Sequence, residues 1–186
     1  MRTLVVGCGS IGSRRARLLA EMGHEVWAVD VMGESRQYRA RGFDAYYHGE
    51  CGWPDDWWCG ESWDAAFVCT PANTHLQVAR EVIEAGVRGL FVEKPLSTAM
   101  DGIPELIAEC EARGVVTMGA CNMRWAYPAV GPDAICFSAV TSGPLSEWRP
   151  GSESYRETGV VLESMIHDLD LAIRWMGPVS HVTRAE

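Results

Sequence analysis

Three glycines near the start of the chain, Gly7, Gly9 and Gly12, follow an apolar run at the spacing G-x-G-x-x-G and precede a helical pattern. At this spacing the first glycine permits a tight turn after a strand, the second lets the backbone approach a pyrophosphate, and the third lets the helix pack closely on the sheet. The start of the helix adds unpaired N–H groups and the positive end of its dipole. We therefore predict a dinucleotide-binding loop, with Ser10 and Ile11 also among its cofactor-binding residues. A structural glycine turn in another α/β protein is the alternative.

A second apolar strand, predicted over Val26–Val29, ends in Asp30, about 20 residues after the glycines. In dinucleotide-binding folds an acid at this place binds the ribose hydroxyls of NAD, and its charge would repel the 2′-phosphate of NADP. Asp30 is therefore predicted to favour NAD as the cofactor over NADP. Arg36, in the following loop, would soften this preference if it reached the phosphate.

Short apolar runs alternate with longer amphipathic ones from residue 1 to about 121, which is typical of a parallel sheet wrapped by helices. The predicted fold class is therefore α/β, a Rossmann-type doubly wound parallel sheet, and residues 1–121 are predicted to form an NAD(P)-binding domain. From residue 122 the alternation weakens and prolines and glycines become frequent. We place the domain boundary there and expect a small α+β part over 122–186, whose last helix is predicted from roughly Gly159 to Met176.

The net charge of −9 at pH 7 argues against nucleic acid or an anionic membrane as the main partner, because both would select a basic surface. A small-molecule ligand fits better. No run of about 18 apolar residues and no apolar leader is evident, and the seven cysteines show no C-x-x-C spacing. We therefore expect reduced thiols and a cytoplasmic location. His48, Cys51 and Cys59 match no familiar zinc spacing, so we predict no metal site.

Chemistry-bearing side chains recur in three further segments, two that follow predicted strands and one on the last predicted helix. Their residues are Thr70, Pro71, Asn73 and His75, then Glu93 and Lys94, then Glu163, His167 and Asp170. Ligands of open α/β sheets bind beyond the carboxyl ends of strands, and residues three and four apart share one face of a helix. Taken singly, Glu93 and Lys94 also fit a solvated charge pair. The three residues on the last predicted helix also fit a buried polar network.

Together these residues resemble the Gfo/Idh/MocA family, the glucose-fructose oxidoreductase and inositol dehydrogenase family. Its hallmarks are G-x-G-x-x-G, a strand ending in C-T-P-x-x-x-H, an E-K-P motif and a helix with D-x-x-x-H-x-x-D. This chain carries the first three in order and then Glu163, His167 and Asp170 at the spacing of the fourth, and Asn122 and Arg124 resemble the family's N-x-R element. The resemblance implies an NAD(P)-dependent oxidoreductase that transfers hydride between a nicotinamide cofactor and a secondary alcohol of a sugar, cyclitol or sugar derivative.

The resemblance also implies roles for individual residues. The nicotinamide half of the cofactor site would be lined by Thr70, Pro71, Asn73, His75, Glu93 and Lys94. Removing hydride from an alcohol requires a base for the hydroxyl proton, and His167 would be that base. Lys94 would complete the catalytic pair by stabilising developing alkoxide charge, and Glu163 would orient His167. Substrate contacts would come from Arg124, Trp148, Arg149 and Asp170.

Two departures from the family pattern affect these expectations. Glu163 stands where the family usually has Asp, one methylene shorter, which affects the orientation of His167. Relatives also continue well beyond the last helix, so the C-terminal part is expected to be truncated and to lean on the first domain or on another subunit, in a homo-oligomer or with a second polypeptide. A non-catalytic dinucleotide-binding regulator or partner subunit is therefore the alternative function, and a fragment that needs a second polypeptide is a third.

Overall fold

The computed structural model describes residues 1–30, 62–126 and 165–182. Its centre is a sheet of five strands in the order β2-β1-β3-β4-β5, with every neighbouring pair parallel. The strands are β1 (Arg2–Val6), β2 (Glu25–Val29), β3 (Ala65–Val68), β4 (Gly89–Val92) and β5 (Val116–Gly119). The predicted α/β class with a parallel sheet is confirmed.

Helices connect the strands and continue after them. They are α1 (Ser10–Glu21), α2 (His75–Glu84), α3 (Ile103–Arg113), α4 (Met123–Ala126) and α5 (Ile166–Met176), with a 3-10 turn at Ala72–Thr74 before α2. The sequence pattern would start α3 at Met100, but the helix begins at Ile103. Gly102 has φ +84, outside the helical region, and Pro104 lies in the first turn, where its fixed φ suits a helix start.

Helices cover both faces of the sheet. Leu4 and Val6 of β1 belong to an apolar cluster that includes residues of α2 and α3, such as Leu106. Val5, which points to the opposite face, packs with Ala16 of α1. This alternation follows from the period of two in a strand, and it confirms the doubly wound arrangement.

The order of the strands reverses at the centre of the sheet. From β1 the chain passes through α1 to β2 on one side, whereas β3 lies on the other side of β1. In open parallel sheets a crevice forms outside the carboxyl ends of the strands at such a reversal. The crevice is expected beyond Val6 of β1 and Val68 of β3.

The chain divides into two compact units, Met1–Ala120 and Cys121–Glu186. The predicted boundary between 1–121 and 122–186 lies beside this division, and the substrate and oligomerisation roles expected of the second part stay predictions. In the second unit, α4 and α5 contact each other. The start of the long helix predicted from Gly159 lies outside the described residues.

Candidate active site

Four segments leave the carboxyl edge of the sheet within the unit Met1–Ala120. The glycine loop (residues 7–12) follows β1, and Asp30 follows β2. The CTP loop (residues 69–74) follows β3, and the EKP loop (residues 93–95) follows β4. Because parallel strands end at one edge, every residue predicted to bind the cofactor belongs to this edge or to the start of the helix that follows it.

The glycine loop requires glycine at its first and third positions. Gly7 has φ +89, and a Cβ there would lie 2.8 Å from the carbonyl carbon of Cys69. A Cβ on Gly12 would lie 1.7 Å from the Gly7 carbonyl oxygen. Gly9 differs, because it is exposed and a Cβ there would meet no described atom within 4 Å. Gly9 therefore faces open space through which an anion can approach the backbone.

The backbone of Cys8 is held from two sides. Its N–H donates to Asp30 Oδ2 at 2.6 Å, and its carbonyl oxygen accepts from the Ser13 hydroxyl at 2.6 Å. Both partners are buried, with Asp30 at 8% and Ser13 at 0% exposure. The acid predicted to bind ribose is thus hydrogen-bonded to the loop predicted to bind phosphate. A carboxylate accepts several hydrogen bonds, so this contact does not exhaust Asp30 as an acceptor.

Helix α1 begins beside this loop without a side-chain cap. Its N-cap is Gly9, Ser10 is exposed, and the described first turn holds no acidic residue. The first N–H groups of a helix lack partners within the helix, and the dipole places partial positive charge there. A pyrophosphate supplies the acceptors and the negative charge that this terminus lacks. The residues present therefore fit the phosphates of a dinucleotide.

The CTP loop is compact and held by its own hydroxyl groups. The Thr74 hydroxyl lies 2.7 Å from the Pro71 carbonyl oxygen and 2.9 Å from Thr70 Oγ1. Thr70 is partly buried, whereas Pro71 and Asn73 are exposed. Two of the residues predicted to line the nicotinamide half are therefore accessible at this edge.

His75, also predicted to line the nicotinamide half, is 1% exposed. Its Nε2 lies 2.7 Å from the Thr70 carbonyl oxygen, and its Nδ1 lies 2.8 Å from the Pro95 carbonyl oxygen. Both ring nitrogens therefore contact backbone oxygens, one in the CTP loop and one in the EKP loop. The buried ring therefore connects the two loops.

The EKP loop is tied to α1 through Glu93. The backbone N–H of Glu93 continues the sheet by donating to the Val68 carbonyl oxygen at 2.9 Å. Its Oε1 accepts from Arg15 Nε at 2.8 Å and lies 2.8 Å from Arg15 Nη2. The guanidinium also lies 4.9 Å from the centre of the Phe91 ring. The Glu93 carboxylate is therefore oriented from the helix that begins at the glycine loop.

Lys94 is the only lysine of this chain, which carries sixteen Lys and Arg residues in total. It is partly buried, between the partly buried Glu93 and the buried Pro95. An arginine stays protonated in proteins, whereas a lysine ammonium can release a proton. Of the chain's lysine and arginine side chains, Lys94 alone is an amine.

Two thiols pack in one apolar cluster beside the glycine and CTP loops, Cys8 and Cys69. Burial raises the pKa of Cys8 to about 12, and the nearby Asp30 carboxylate adds to the rise. Burial also raises the pKa of Cys69, where Glu93 adds to the rise and Arg15 opposes it. Both thiols are therefore neutral near pH 7 and serve as packing groups rather than nucleophiles.

In the unit Cys121–Glu186, two predicted substrate-binding residues contact each other. Arg124 Nε donates to Asp170 Oδ2 at 3.0 Å, and Nη2 contacts Oδ1 of the same carboxylate. This hydrogen bonding raises the pKa of Arg124. Arg174 adds a hydrogen bond to the Arg124 carbonyl oxygen and lies over the Trp125 ring. These contacts join α4 to α5, which also carries the partly buried His167.

The remaining predicted site residues lie outside the described residues, namely Glu163, Trp148 and Arg149. His48, Cys51 and Cys59, for which no metal is predicted, lie outside them as well. Within residues 1–30, 62–126 and 165–182, no group of three or more His, Cys, Asp or Glu is arranged to hold a metal ion. Each helix in that part of the chain is too short or too polar to cross a membrane.

Sequence reasoning missed two residues of this edge, Arg15 and Ser13. Both lie on α1, and both contact backbone or side chains of the loops named above. Ser13 is three positions after the start of α1 and is buried. A hydroxyl on the buried face of a helix needs a hydrogen-bond partner, and this could have indicated its contact with the loop. Nothing in the spacing of Arg15 distinguished it from its exposed neighbours.

Residues 1–120 match the family model of the Gfo/Idh/MocA oxidoreductases, described as an oxidoreductase family with an NAD-binding Rossmann fold. The chain belongs to the Gfo/Idh/MocA family. The family inferred from the four motifs is thus confirmed, and the parallel sheet is its NAD-binding Rossmann fold.

Individual relatives of this Gfo/Idh/MocA chain are distant. The UDP-N-acetylglucosamine 3-dehydrogenase of Acidithiobacillus ferrooxidans is 27% identical over 183 residues, covering 95% of this chain and 55% of that protein. Its solved structure matches with a TM-score of 0.70 at 25% identity, covering 95% of this chain and 57% of that one. The inositol 2-dehydrogenase of Paracoccus denitrificans is 29% identical over 118 residues, covering 61% of this chain and 34% of that protein.

A third relative was solved with ligands. The WlbA dehydrogenase of Bordetella pertussis, in complex with NADH and UDP-GlcNAcA, matches with a TM-score of 0.55 at 25% identity, covering 64% of this chain and 36% of that one. The Gfo/Idh/MocA chain described here thus spans about half the length of the first relative and about a third of the other two.

Proposed function

We propose that this chain is an NAD(P)-dependent oxidoreductase acting on CH–OH groups, which transfers hydride between a nicotinamide cofactor and a secondary alcohol of a sugar, cyclitol or sugar derivative. The observation that carries the proposal is the carboxyl edge of the sheet, where the glycine loop, an uncapped helix start and the CTP loop lie at the strand reversal and the EKP loop follows the next strand. The names of the relatives support the substrate class, because two are dehydrogenases of UDP-N-acetylglucosamine and of inositol, and the third is a dehydrogenase solved with UDP-GlcNAcA.

The cofactor's phosphates would lie on the glycine loop and the start of α1, and its nicotinamide half beside Thr70, Pro71, Asn73 and Glu93. Asp30 would bind the adenosine ribose, and its charge favours NAD over NADP. When bound, the nicotinamide supplies the acceptor or donor of the hydride. The chain's own groups bind the cofactor, orient it and accept the hydroxyl proton of the substrate.

His167 is proposed to take the hydroxyl proton, and Lys94 to donate a hydrogen bond to the oxygen that gains negative charge. Glu163 is proposed to orient the imidazole, and a substrate role is proposed for Arg124, Asp170, Trp148 and Arg149. Because Arg124 and Asp170 already bind each other, their role toward substrate is best tested as a pair.

The first test is a titration with NADH and NADPH, read through quenching of the chain's eight tryptophans. NADH should bind more tightly than NADPH. A panel containing inositol and UDP-N-acetylglucosamine is then screened for turnover. In Lys94→Ala, turnover should fall about 100-fold or more while NADH affinity stays within about threefold.

Lys94→Arg sharpens this test because it keeps the positive charge. If Lys94 serves only as a charge, the arginine variant should stay active, which would contradict a specific hydrogen bond from the Lys94 ammonium to that oxygen. Since Lys94 is the only side-chain amine, an acylating reagent can modify just that residue and the N-terminal amine. NADH should slow acylation of Lys94 and leave the N-terminus unaffected.

NADH binding without turnover of any substrate, unchanged by Lys94→Ala, would instead favour the non-catalytic regulator or partner subunit. A homo-oligomer or a second subunit is also proposed, and analytical ultracentrifugation of the purified chain tests it. A cytoplasmic location stays a prediction that cell fractionation can check.

A further inference from the structure

We propose that His75 is a positioning residue whose ring contacts a backbone carbonyl oxygen in each loop and so fixes the separation of the CTP and EKP loops. The contacts are Nε2 to the Thr70 carbonyl oxygen at 2.7 Å and Nδ1 to the Pro95 carbonyl oxygen at 2.8 Å. The inference rests on the proposed function only in that these loops are taken to hold the nicotinamide half and Lys94.

The sheet itself stops holding the two loops together just before this point. Strands β3 and β4 pair as far as Val68 and Val92, and the last backbone bond between them runs from the Glu93 N–H to the Val68 carbonyl oxygen. Beyond it each loop carries a proline, Pro71 or Pro95, which has no N–H to donate. A side chain must therefore supply the contact between the loops if they are to stay in register.

Histidine is suited to this place because its two nitrogens lie on opposite sides of one small, planar ring. Each ring nitrogen faces one carbonyl oxygen, so a single side chain contacts both loops. The nitrogen that carries the proton donates to the oxygen it faces, and the tautomer decides which loop receives that hydrogen bond.

The bridge has a direct consequence for the proposed chemistry. Thr70 precedes the exposed Pro71 and Asn73, and Pro95 follows Lys94 immediately. Shifting either carbonyl moves a segment that carries predicted site residues. His75 thus acts on the cofactor site through the two loops and without touching the cofactor, since its ring is 1% exposed.

The contact of the ring with the loops is tested first, on the wild-type protein without cofactor. Nitrogen-15 NMR of histidine-labelled protein reports which ring nitrogen carries the proton, and the His75→Gln variant identifies the His75 signals among the five histidines. A single tautomer with its N–H hydrogen-bonded is expected. Signals that exchange between two tautomers, as in a free imidazole, would overturn the bridge.

The positioning role is tested with His75→Gln and His75→Leu. Glutamine keeps one donor, whereas leucine fills the space with none, so hydrogen bonding and packing predict opposite orders. NADH affinity should fall about tenfold in His75→Leu and less in His75→Gln. His24→Gln, which lies just before β2 at the opposite edge of the sheet, should bind NADH as the wild type does.

The outcomes separate this inference from the proposed function. Equal affinity in all variants, or tighter binding by His75→Leu than by His75→Gln, would show that the ring only packs. Failure of the wild type to bind NADH would contradict the proposed function, whereas the NMR result would still decide the bridge. If His75→Leu does not fold by thermal melting, the comparison of His75→Gln with the wild type and the NMR spectrum decide it.

Discussion

Arg15 Nε and Nη2 both lie 2.8 Å from Glu93 Oε1, so the second turn of α1 binds the first residue of the EKP loop. The pair is largely shielded, with side-chain exposures of 27% for Arg15 and 12% for Glu93. Because α1 starts at the glycine loop, this contact couples the segment that fits phosphate to the segment that carries Lys94. A displacement of the glycine loop therefore also displaces the EKP loop, and the reverse.

Removing the arginine leaves the Glu93 carboxylate partly buried without its partner. We expect Arg15→Ala to lower the free energy of unfolding by about 2 kcal/mol, with Arg15→Lys in between. Denaturant unfolding of Arg15→Ala, Glu93→Gln and the double variant gives the coupling energy, expected near 1 kcal/mol. Arg17→Ala, whose exposed pair with Glu21 spans 3.6 Å, is the matched control and should cost less than about 0.5 kcal/mol. A coupling energy of zero would mean that the pair does not hold the loop.

Two glycines of one loop should respond oppositely to the same substitution. Gly12→Ala places a Cβ 1.7 Å from the Gly7 carbonyl oxygen, so we expect a loss of about 3 kcal/mol or more in stability. Gly9→Ala enters open space and should cost less than about 1 kcal/mol, yet weaken NADH binding at least about tenfold by obstructing the phosphate. Unchanged NADH affinity in Gly9→Ala would contradict the phosphate role of this loop.

The buried Cys8 thiol predicts how stability changes in alkali. Its pKa is about 12 in the folded chain, whereas an unfolded cysteine titrates near about 8.5. The folded state therefore keeps a proton that the unfolded state releases, and this contribution is lost as the pH rises above the unfolded value. Stability should fall by about 1.4 kcal/mol per pH unit from this thiol between about pH 9 and 11.

The Cys8→Ala variant isolates that slope. Other side chains titrate in the same range, but their contributions are common to both proteins. The difference in unfolding free energy between wild type and Cys8→Ala should therefore shrink as the pH rises. Parallel curves would mean that the thiol is not buried as the structure has it.

Arg124 and Asp170 are predicted to act as one unit. Asp170→Asn and Arg124→Gln should each loosen α5 from α4, because each removes the same ion pair. With Arg124 at 39% side-chain exposure, we expect only about 0.5–1 kcal/mol for the pair. Hydrogen exchange of the amides of α5 measures this effect, and the double variant should exchange no faster than the single ones. If the increases in exchange of the two single variants added up in the double variant, the two residues would act separately and not as one ion pair.

Much of the fold could be predicted because glycine spacing and apolar periodicity are local signals. The G-x-G-x-x-G run fixes a strand, a turn and a helix, and the structure has β1, the glycine loop and α1 there. Helix α3 shows the limit of this reasoning. Its amphipathic pattern extends back to Met100, but the backbone of Gly102 delays the start of the helix to Ile103, and a hydrophobic pattern does not encode φ.

The pairing of side chains between elements could not be predicted in the same way. Arg15 and Glu93 are far apart in sequence, and three of the four residues from Arg14 to Arg17 are arginines, so nothing local selects Arg15. The motif places His75 near the cofactor, whereas the structure turns its ring toward two carbonyls. Which atoms a motif residue contacts depends on how two loops leave the sheet, and that is a property of the tertiary fold.

Asp30 combines two roles that two substitutions can separate. Its Oδ2 accepts the Cys8 N–H, and its charge is proposed to exclude the 2′-phosphate of NADP. Asp30→Asn keeps an oxygen for the Cys8 N–H and removes the charge, so the fold should persist while the preference for NADH over NADPH shrinks at least about tenfold. Asp30→Ala removes both, so stability should fall by about 1–3 kcal/mol as the buried N–H loses its acceptor. Fluorescence titration with both cofactors and thermal melting measure the two effects. If Asp30→Asn retained the full preference for NADH, the discrimination would have to come from another residue. If Asp30→Ala were as stable as the wild type, the Cys8 contact would contribute nothing to the stability of the loop.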